Sequence, residues 1–266
     1  QILGSLPNLG IFPTDILQVN HHLYVYAWLT REIIAFDITD PTRPDEIWRQ
    51  AFSNEEALSP EILLGKQIFH DANDTRMTRT GYISCAHCHP NGGQDGQTWD
   101  FTDRGEGLRN TSSLLGRAGT TMGRLHWTGN FDEIQDFEGD IRRDFGGTGF
   151  LSEDDWNRSQ EPLGMSKSGL SSDLDALAAY VSSLSETYPS PIIESDSETF
   201  DDLECGECHP APLYTDSAIM TPVRHDVGTF GLGSGQRLGM ALDGFDTPTL
   251  LGIRESGPYL HDGSAE

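Results

Sequence analysis

The sequence predicts a mainly α-helical protein, in which two helical domains with one copy each of a short cysteine motif follow a small N-terminal antiparallel β-sheet. Three observations lead to this fold class. The pattern Cys-x-x-Cys-His occurs twice, at Cys85–His89 and Cys205–His209. The segment Ser171–Leu184 has the apolar spacing of an amphipathic helix. Residues 1–52 contain four short segments rich in aromatic and β-branched residues, which are typical of strands.

The two motifs indicate covalently bound haem. Cys-x-x-Cys-His is the attachment pattern of a c-type haem. Side chains three and four positions apart share one face of a helical turn, so Cys85 and Cys88 can bond one porphyrin edge while His89 offers a ring nitrogen to the iron. The second motif supplies Cys205, Cys208 and His209. A disulfide, a redox dithiol or half of a zinc site would not need the histidine. We therefore predict two haem c groups, which use all four cysteines of the chain.

Charge and hydropathy limit the partners and the location. The chain has 266 residues, with 42 acidic against 17 basic side chains and a net charge of −25. This balance argues against nucleic acid and anionic membrane surfaces, and it suits a basic redox partner or simply solubility. No run of about 18 apolar residues predicts a transmembrane span. Haem is normally joined to such cysteines outside the cytoplasm, so we expect a periplasmic or extracellular protein.

The N-terminal sheet is predicted from four strands. They are Asp15–Val19, His22–Leu29, Glu32–Thr39 and Ile47–Phe52. Four such strands equal one blade of a β-propeller, and the segment Ile38–Pro44 resembles the turn that closes some blades. One blade cannot close a ring. Either this sheet packs on the haem domains, or it is the last blade of a propeller whose earlier part is missing; we favour the second interpretation.

Helix signals organise the rest of the chain. Ser59 and Pro60 fit the N-cap and first position of a helix. Phe131–Arg142 is predicted as a short helix, and Ser172-x-x-Asp175 resembles a capping box at the start of the longer one. The stretch Asn91–Gly107 is predicted as a loop too polar to be core. We divide the chain into residues 1–52, the sheet; 53–190, the first haem domain; and 191–266, a second haem domain that we expect to be truncated because no closing helix follows its motif.

The order of motifs resembles one protein family. The first haem motif is followed by Leu-Arg-Asn at residues 108–110, His-Trp at 126–127, the helix, the second haem motif and Pro-Tyr-Leu-His-Asp-Gly-Ser at 258–264. This order resembles the bacterial di-haem cytochrome c peroxidase family, which includes the maturation enzyme of methylamine dehydrogenase, over residues 53–266. The resemblance implies two cytochrome c-like haem domains. The first haem would reduce hydrogen peroxide or another small oxidant, and the second would relay electrons from a redox protein.

The resemblance also assigns roles to individual residues. His89 and His209 match the proximal iron ligands, and Trp127 matches the tryptophan between the haems, although core packing explains Trp127 equally well. A calcium ion at the domain boundary is implied too. Its ligands would be the Asn110 side chain and the carbonyl oxygens of Ser256 and Pro258, an all-oxygen set that suits calcium. The alternative for Asn110 is an ordinary turn residue.

The first haem departs from the family pattern. Many members carry a histidine that blocks the peroxidatic iron, but Trp99–Arg109 contains none, so we expect that iron to be open. Peroxide chemistry then needs a distal base. His126 is a candidate base, but it could also be a sixth ligand or a structural histidine. The family uses a glutamate here, and the candidates are Glu133, Asp136, Glu138, Asp140 and Asp144, or none of them if they form a solvated helix face. We assign Glu138, with His126 and Trp127, to the predicted catalytic set.

Two function classes remain open from the sequence. The first is a peroxidase-type oxidoreductase, and the second is a non-catalytic di-haem electron-transfer protein or a module of a larger assembly. The absent blocking histidine favours the enzyme, whereas ligation by His126 would favour the carrier. Candidates for the sixth ligand of the second haem are Met220, His225, Met240 and His261. A homo-oligomer or a larger assembly stays open.

Overall fold

The computed structural model describes residues 4–6, 12–52, 57–187, 194–218 and 223–266, the side chains of 194–197 excepted. The Cα positions divide the chain into two compact units, Gln1–Leu63 and Leu64–Glu266. Both cysteine motifs lie in the second unit. The division into domains 1–52, 53–190 and 191–266 stays a prediction.

The first unit contains the predicted antiparallel sheet. Its strands are β1 (Pro13–Val19), β2 (His22–Ala27), β3 (Glu32–Asp37) and β4 (Asp45–Ala51). They pair in the order β1-β2-β3-β4, so each strand lies beside its neighbour in sequence. The register places Val25 opposite Ile34. These two side chains form a buried cluster with Ala27 and Phe36 on one face. A propeller built from this sheet stays a prediction.

Six α-helices occur among the described residues. They are α1 (Pro60–His70), α2 (Cys85–Cys88), α3 (Glu138–Arg143), α4 (Glu153–Ser159), α5 (Ser172–Ser183) and α6 (Glu194–Asp202). Short 3-10 helices span Pro90–Gly92, Thr102–Arg104, Ile134–Phe137, Cys205–Glu207 and Ile253–Glu255. The remaining strands are β5 (Thr98–Asp100), β6 (Leu108–Asn110), β7 (Arg224–His225), β8 (Gln236–Arg237), β9 (Met240–Ala241) and β10 (Phe245–Asp246). No helix of the described part has the length and apolarity needed to cross a bilayer.

The predicted fold class is wrong. Helices cover only 25% of the chain, and the strands form four sheets, with β5–β6, β7–β10 and β8–β9 as two-stranded pairs. The physical reason is the glycine- and aspartate-rich sequence around both motifs, which forms turns and short strand pairs because it lacks a continuous helical period. Two separate cytochrome c-like haem domains are not shown either, since both motifs lie in one compact unit.

The two longest helices cross at a glycine. A Cβ atom on Gly65 of α1 would lie 1.8 Å from the carbonyl oxygen of Ala176 in α5, so only glycine permits this approach. Phe69 of α1 then packs edge-on against Tyr180 of α5, with 5.1 Å between ring centroids. Both helices were predicted, and this crossing places their apolar faces beside the first cysteine motif.

Two helix starts differ from the prediction. The N-cap of α5 is Ser171, whose Oγ accepts from the backbone N–H of Leu174 at 3.4 Å. The capping box predicted at Ser172 is therefore wrong, because Ser172 is already the first helical residue. The helix predicted from Phe131 begins only at Ile134, since Leu125 and Phe131 pair as an isolated β-bridge that closes the preceding loop.

Candidate haem site

The first cysteine motif folds as one tight helical turn. The backbone N–H of His89 donates to the carbonyl oxygen of Cys85 at 2.9 Å. The Nδ1 atom of His89 lies 3.2 Å from the carbonyl oxygen of Gly93. An imidazole that donates from Nδ1 keeps its lone pair on Nε2, which is how most metal-ligating histidines are held.

The second motif repeats this geometry. Its 3-10 turn begins at Cys205, and the backbone N–H of His209 donates to the carbonyl oxygen of Cys205 at 2.9 Å. Nδ1 of His209 lies 2.9 Å from the carbonyl oxygen of Tyr214. Both histidines therefore leave Nε2 for the iron, and each motif keeps its two cysteines on one side of a turn.

A cavity beside the first motif fits a haem. Its volume is about 630 Å³, and its lining includes Cys85, Cys88 and His89. Apolar side chains of α1 and α5 form part of the wall, among them Phe69, Leu177 and Val181. Burial lowers the pKa of His89 to about 4, so its imidazole is neutral near pH 7. A neutral histidine and two thiols that share one apolar cavity are the groups that c-type haem attachment needs.

A short loop brings His126 and Trp127 into the same cavity. The bridge between Leu125 and Phe131 closes this loop at its base. Nδ1 of His126 lies 2.8 Å from Oδ1 of Asn130. The ring is accessible from the cavity, yet surrounding protein desolvates it enough to lower its pKa to about 4. The structure thus brings together the predicted proximal ligand, the predicted distal histidine and the predicted inter-haem tryptophan.

Arg104 is a cavity residue that the sequence reasoning missed. Its guanidinium forms ion pairs with Asp140 at 2.8 Å and Asp144 at 2.9 Å. Burial raises the pKa of both carboxyls. The spacing of Asp140 and Asp144 at i and i+4 could have predicted that both carboxyls lie on one helix face, because such residues are neighbours on a helix. Nothing in the sequence paired them with an arginine from a polar loop.

The five acidic candidates separate by position. Only Asp140 and Asp144 line the cavity. The Glu138 carboxylate is fully buried elsewhere; it accepts from the backbone N–H groups of Phe150 and Leu151 and pairs with Arg142 at 2.7 Å. Its placement is that of a structural group, and its catalytic role stays an untested prediction.

The other two acids are held by one short segment. Asp136 pairs with Lys167 at 2.6 Å, and Glu133 accepts from the backbone N–H of Lys167 and from the Ser166 hydroxyl. Neither carboxylate lines the cavity.

Two of the predicted calcium ligands, Asn110 and Pro258, lie in contact, and the calcium site stays a prediction. The Asn110 side chain contacts the carbonyl oxygen of Pro258 through Nδ2. Its Oδ1 atom is buried and has no hydrogen-bond partner within the described chain. Ser256 lies two residues before Pro258, and its hydroxyl donates to the carbonyl of Ile253 at 2.9 Å. A buried amide oxygen without a partner beside a backbone carbonyl fits a hard cation.

The candidates for the second sixth ligand lie in different settings. Nε2 of His225 lies 2.6 Å from Asp216 Oδ2, and ligand atoms of these two residues and Cys208 lie within 4.8 Å of one another. Because Cys208 belongs to the haem motif, this cluster belongs to the haem site. Met240 is 73% exposed, whereas His261 is buried and stacks on Phe245. Met220 lies outside the described residues.

Comparisons with known proteins bear on the class of this protein. A chain with two such motifs and a haem-sized cavity is a c-type haem protein. The family model of the di-haem cytochrome c peroxidases matches residues 59–201, more than half of the chain, so the chain belongs to that family. The resemblance predicted from the motif order is confirmed. Members carry covalently bound haem c and act as haem oxidoreductases or in electron transfer.

One curated relative is the gamma subunit of hydrazine synthase from Kuenenia stuttgartiensis. It is 30% identical over 239 residues, covering 73% of this chain. The chain spans 64% of the length of that relative. No solved structure matches.

Proposed function

We propose that this chain reduces hydrogen peroxide, or a similar small oxidant, at a haem on the first motif, with electrons relayed by a haem on the second. The observation that carries the proposal is the composition of the first cavity. It contains a proximal histidine, His89, and also a second neutral histidine and a cation, His126 and Arg104. An electron carrier does not need a second histidine and an arginine beside its haem.

The haem, when bound, supplies the iron at which the oxygen–oxygen bond is reduced. Reduction of one peroxide takes two electrons and two protons and releases two waters. His126 suits the proton transfers, because a neutral Nε2 can take the proton of one peroxide oxygen and return it to the departing one. The Arg104 guanidinium contributes a fixed positive charge near developing negative charge. Asp140 and Asp144, whose pKa values are raised by burial, suit the supply of further protons.

Trp127 supports the relay of electrons. It lines the first cavity, and its backbone carbonyl accepts from the N–H of Asp246 at 2.8 Å. Asp246 belongs to β10, which pairs with β7 and therefore with His225, close to the second motif. A series of backbone contacts thus leads from Trp127 through β10 and β7 toward the second motif. A redox protein in the same compartment would supply the electrons, and we propose that this compartment lies outside the cytoplasm.

We also propose that a calcium ion binds between Asn110 and Pro258. The buried, unpartnered Oδ1 of Asn110 supports it, because a cation would satisfy that oxygen together with the Pro258 carbonyl. Removal of calcium with a chelator should lower the melting temperature, and calcium should restore it more effectively than magnesium. An Asn110→Ala variant that still shows the full calcium-dependent shift would exclude this site.

The second candidate is an electron-transfer module of a larger assembly. One observation favours it: Nε2 of His126 is available in the same cavity as His89, so it could close the iron as a sixth ligand. The relative from Kuenenia is itself named as a subunit. In this case peroxide would find no open position.

The test is optical and EPR spectroscopy of the half-reduced protein with calcium, before and after peroxide. The peroxidase predicts a high-spin ferric haem that reacts rapidly, and His126→Ala should slow the reaction by about 100-fold, as for loss of a general base. Leu114→Val is the matched control, because this side chain lines the same cavity but has no acid–base group. Two low-spin haems that ignore peroxide, with one turning high-spin in His126→Ala, would establish the carrier instead.

A further inference from the structure

We propose that Asn130 and Glu106 are positioning residues that hold His126 in one tautomer, with the proton on Nδ1 and the lone pair of Nε2 free in the cavity. The inference rests on the proposed role of His126 as the distal group of the first haem, and it explains how the chain prepares that group. A histidine can act as a base only through its unprotonated nitrogen, so the tautomer decides whether the cavity receives an acceptor or a donor.

The loop holds the backbone of His126 firmly. Its φ angle of +66° lies in the left-handed region, which few non-glycine residues adopt. The ring packs against Phe131 at 4.5 Å and Phe137 at 4.9 Å between centroids. The carbonyl oxygens of Thr128 and Gly129 both accept from the Arg237 guanidinium. The ring can therefore change little in position, and the hydrogen bond at Nδ1 decides its protonation pattern.

The hydrogen bonds run in one direction from Glu106. A carboxylate only accepts, so the partner of Glu106 Oε1 at 3.0 Å must be the Nδ2 end of the Asn130 amide. This fixes the other end, Oδ1, toward His126 Nδ1 at 2.8 Å. An amide oxygen also only accepts, so Nδ1 must carry the proton. The lone pair of the neutral ring is then on Nε2.

Glu106 is itself held in place. Its carboxylate forms an ion pair with Arg109 at 2.9 Å and lies 3.3 Å from the Thr128 hydroxyl. Arg109 donates further to the carbonyl oxygens of Leu108 and Ser234. The hydrogen bonds run from the largely buried Glu106–Arg109 ion pair to the His126 ring. The direction of these hydrogen bonds is therefore set by protein groups and not by solvent. Without Glu106, the Asn130 amide could turn over and donate from Nδ2 to the lone pair of His126 Nδ1, which would place the ring proton on Nε2.

The association rate of cyanide with the oxidised, haem-loaded protein tests the proposal. Hydrogen cyanide must lose its proton before it binds iron, so its association reports the distal base without peroxide or the second haem. Asn130→Leu should slow association by about 10- to 100-fold, part of the effect of a positioned base. Glu106→Gln should slow cyanide association by a smaller factor. This variant tests the proposal if Asn130→Leu does not fold.

Two further variants separate positioning from folding. Asn130→Asp still accepts from Nδ1, so positioning predicts a rate within a few-fold of the parent. A merely structural role predicts the opposite order, because a second carboxylate beside Glu106 is worse for folding than leucine. Thr121→Val is the control, because the Thr121 hydroxyl donates to the carbonyl oxygen of Ala118 outside this network, so its rate should stay within twofold.

The His126→Ala background separates the role of His126 from its positioning by Asn130 and Glu106. If Asn130 acts through His126, Asn130→Leu should add no further effect in that background. If His126→Ala itself leaves cyanide association and the spin state unchanged, the proposed role of His126 fails. If His126→Ala slows association but neither Asn130→Leu nor Glu106→Gln does, only the positioning inference is overturned.

Discussion

The indole N–H of Trp127 donates to the backbone carbonyl oxygen of Asn110 at 2.8 Å. The residue proposed to pass electrons is thereby tied to the residue proposed to bind calcium. Asn110 also joins the end of β6 to the C-terminal region, since its backbone N–H donates to the carbonyl oxygen of His261 at 2.6 Å. A substitution at either residue should therefore alter the position of the other.

Trp127→Phe is expected to separate electron delivery from chemistry at the first haem. The variant keeps an aromatic ring but loses the hydrogen bond, so stability should fall by about 1 kcal/mol. Steady-state peroxide reduction should fall, while cyanide association stays as in the parent. The matched control is Trp99→Phe, since Trp99 lines the same cavity and also donates its indole N–H, to Asp95 at 3.0 Å. If both variants lose peroxide-reduction activity equally, Trp127 has no special role in electron delivery.

Glu138→Gln should damage stability rather than chemistry. The buried carboxylate accepts two backbone N–H groups and pairs with Arg142, and glutamine presents an NH2 group where acceptors are needed. We expect a loss of about 3 kcal/mol in thermal or urea unfolding. Glu153→Gln removes the other Arg142 partner, which is 77% exposed, and should cost under about 1 kcal/mol. A Glu138→Gln protein of normal stability but slow peroxide chemistry would restore the catalytic assignment.

The Lys167–Asp136 ion pair should show strong energetic coupling. Both side chains are 1% exposed and their charged atoms lie 2.6 Å apart. Lys167→Met leaves a buried carboxylate without its cation and should cost about 3–5 kcal/mol. Adding Asp136→Asn should recover part of this loss. Arg158→Gln, which breaks the exposed pair with Asp155, is the control and should change stability by under about 1 kcal/mol. Additive losses at Lys167 and Asp136 in urea unfolding would contradict the coupling.

Stability should depend on pH through Asp246. Burial raises the pKa of this carboxyl to about 6 from an ordinary 3.8; nearby Asp216 also raises it, while the Ser217 hydroxyl, Arg117 and Arg124 lower it. The folded protein therefore favours the protonated form. Its contribution to stability is full below about pH 4 and is lost as pH rises through about 6.

Asp246→Asn should remove this dependence and stabilise the protein at pH 8 by at most about 3 kcal/mol. Asp243→Asn is the control of opposite sign, because a hydrogen bond from Arg224 lowers the pKa of Asp243. Unfolding curves at pH 4 and pH 8 measure both variants. If Asp246→Asn leaves the difference in stability between these two pH values unchanged, this explanation is wrong.

The sequence alone predicted the haem attachment residues, and it determined the four-stranded sheet and the positions of the two longest helices. These depend on local spacing: two residues between the cysteines of each motif with a histidine directly after the second, alternation in strands, and a helical period in Leu174, Leu177 and Val181. The family membership followed from the order of such motifs, because each is recognisable without its neighbours.

Tertiary structure decided which polar groups share the cavity. Arg104 and Asp140 are 36 positions apart in sequence, and Glu106 reaches Asn130 across 24. No local period links them, because loops fold according to long-range hydrogen bonds rather than their own repeat. The wrong fold class has a different cause: the glycine- and aspartate-rich chain around the motifs forms turns and short strand pairs, such as β8 with β9, because it lacks a continuous helical period.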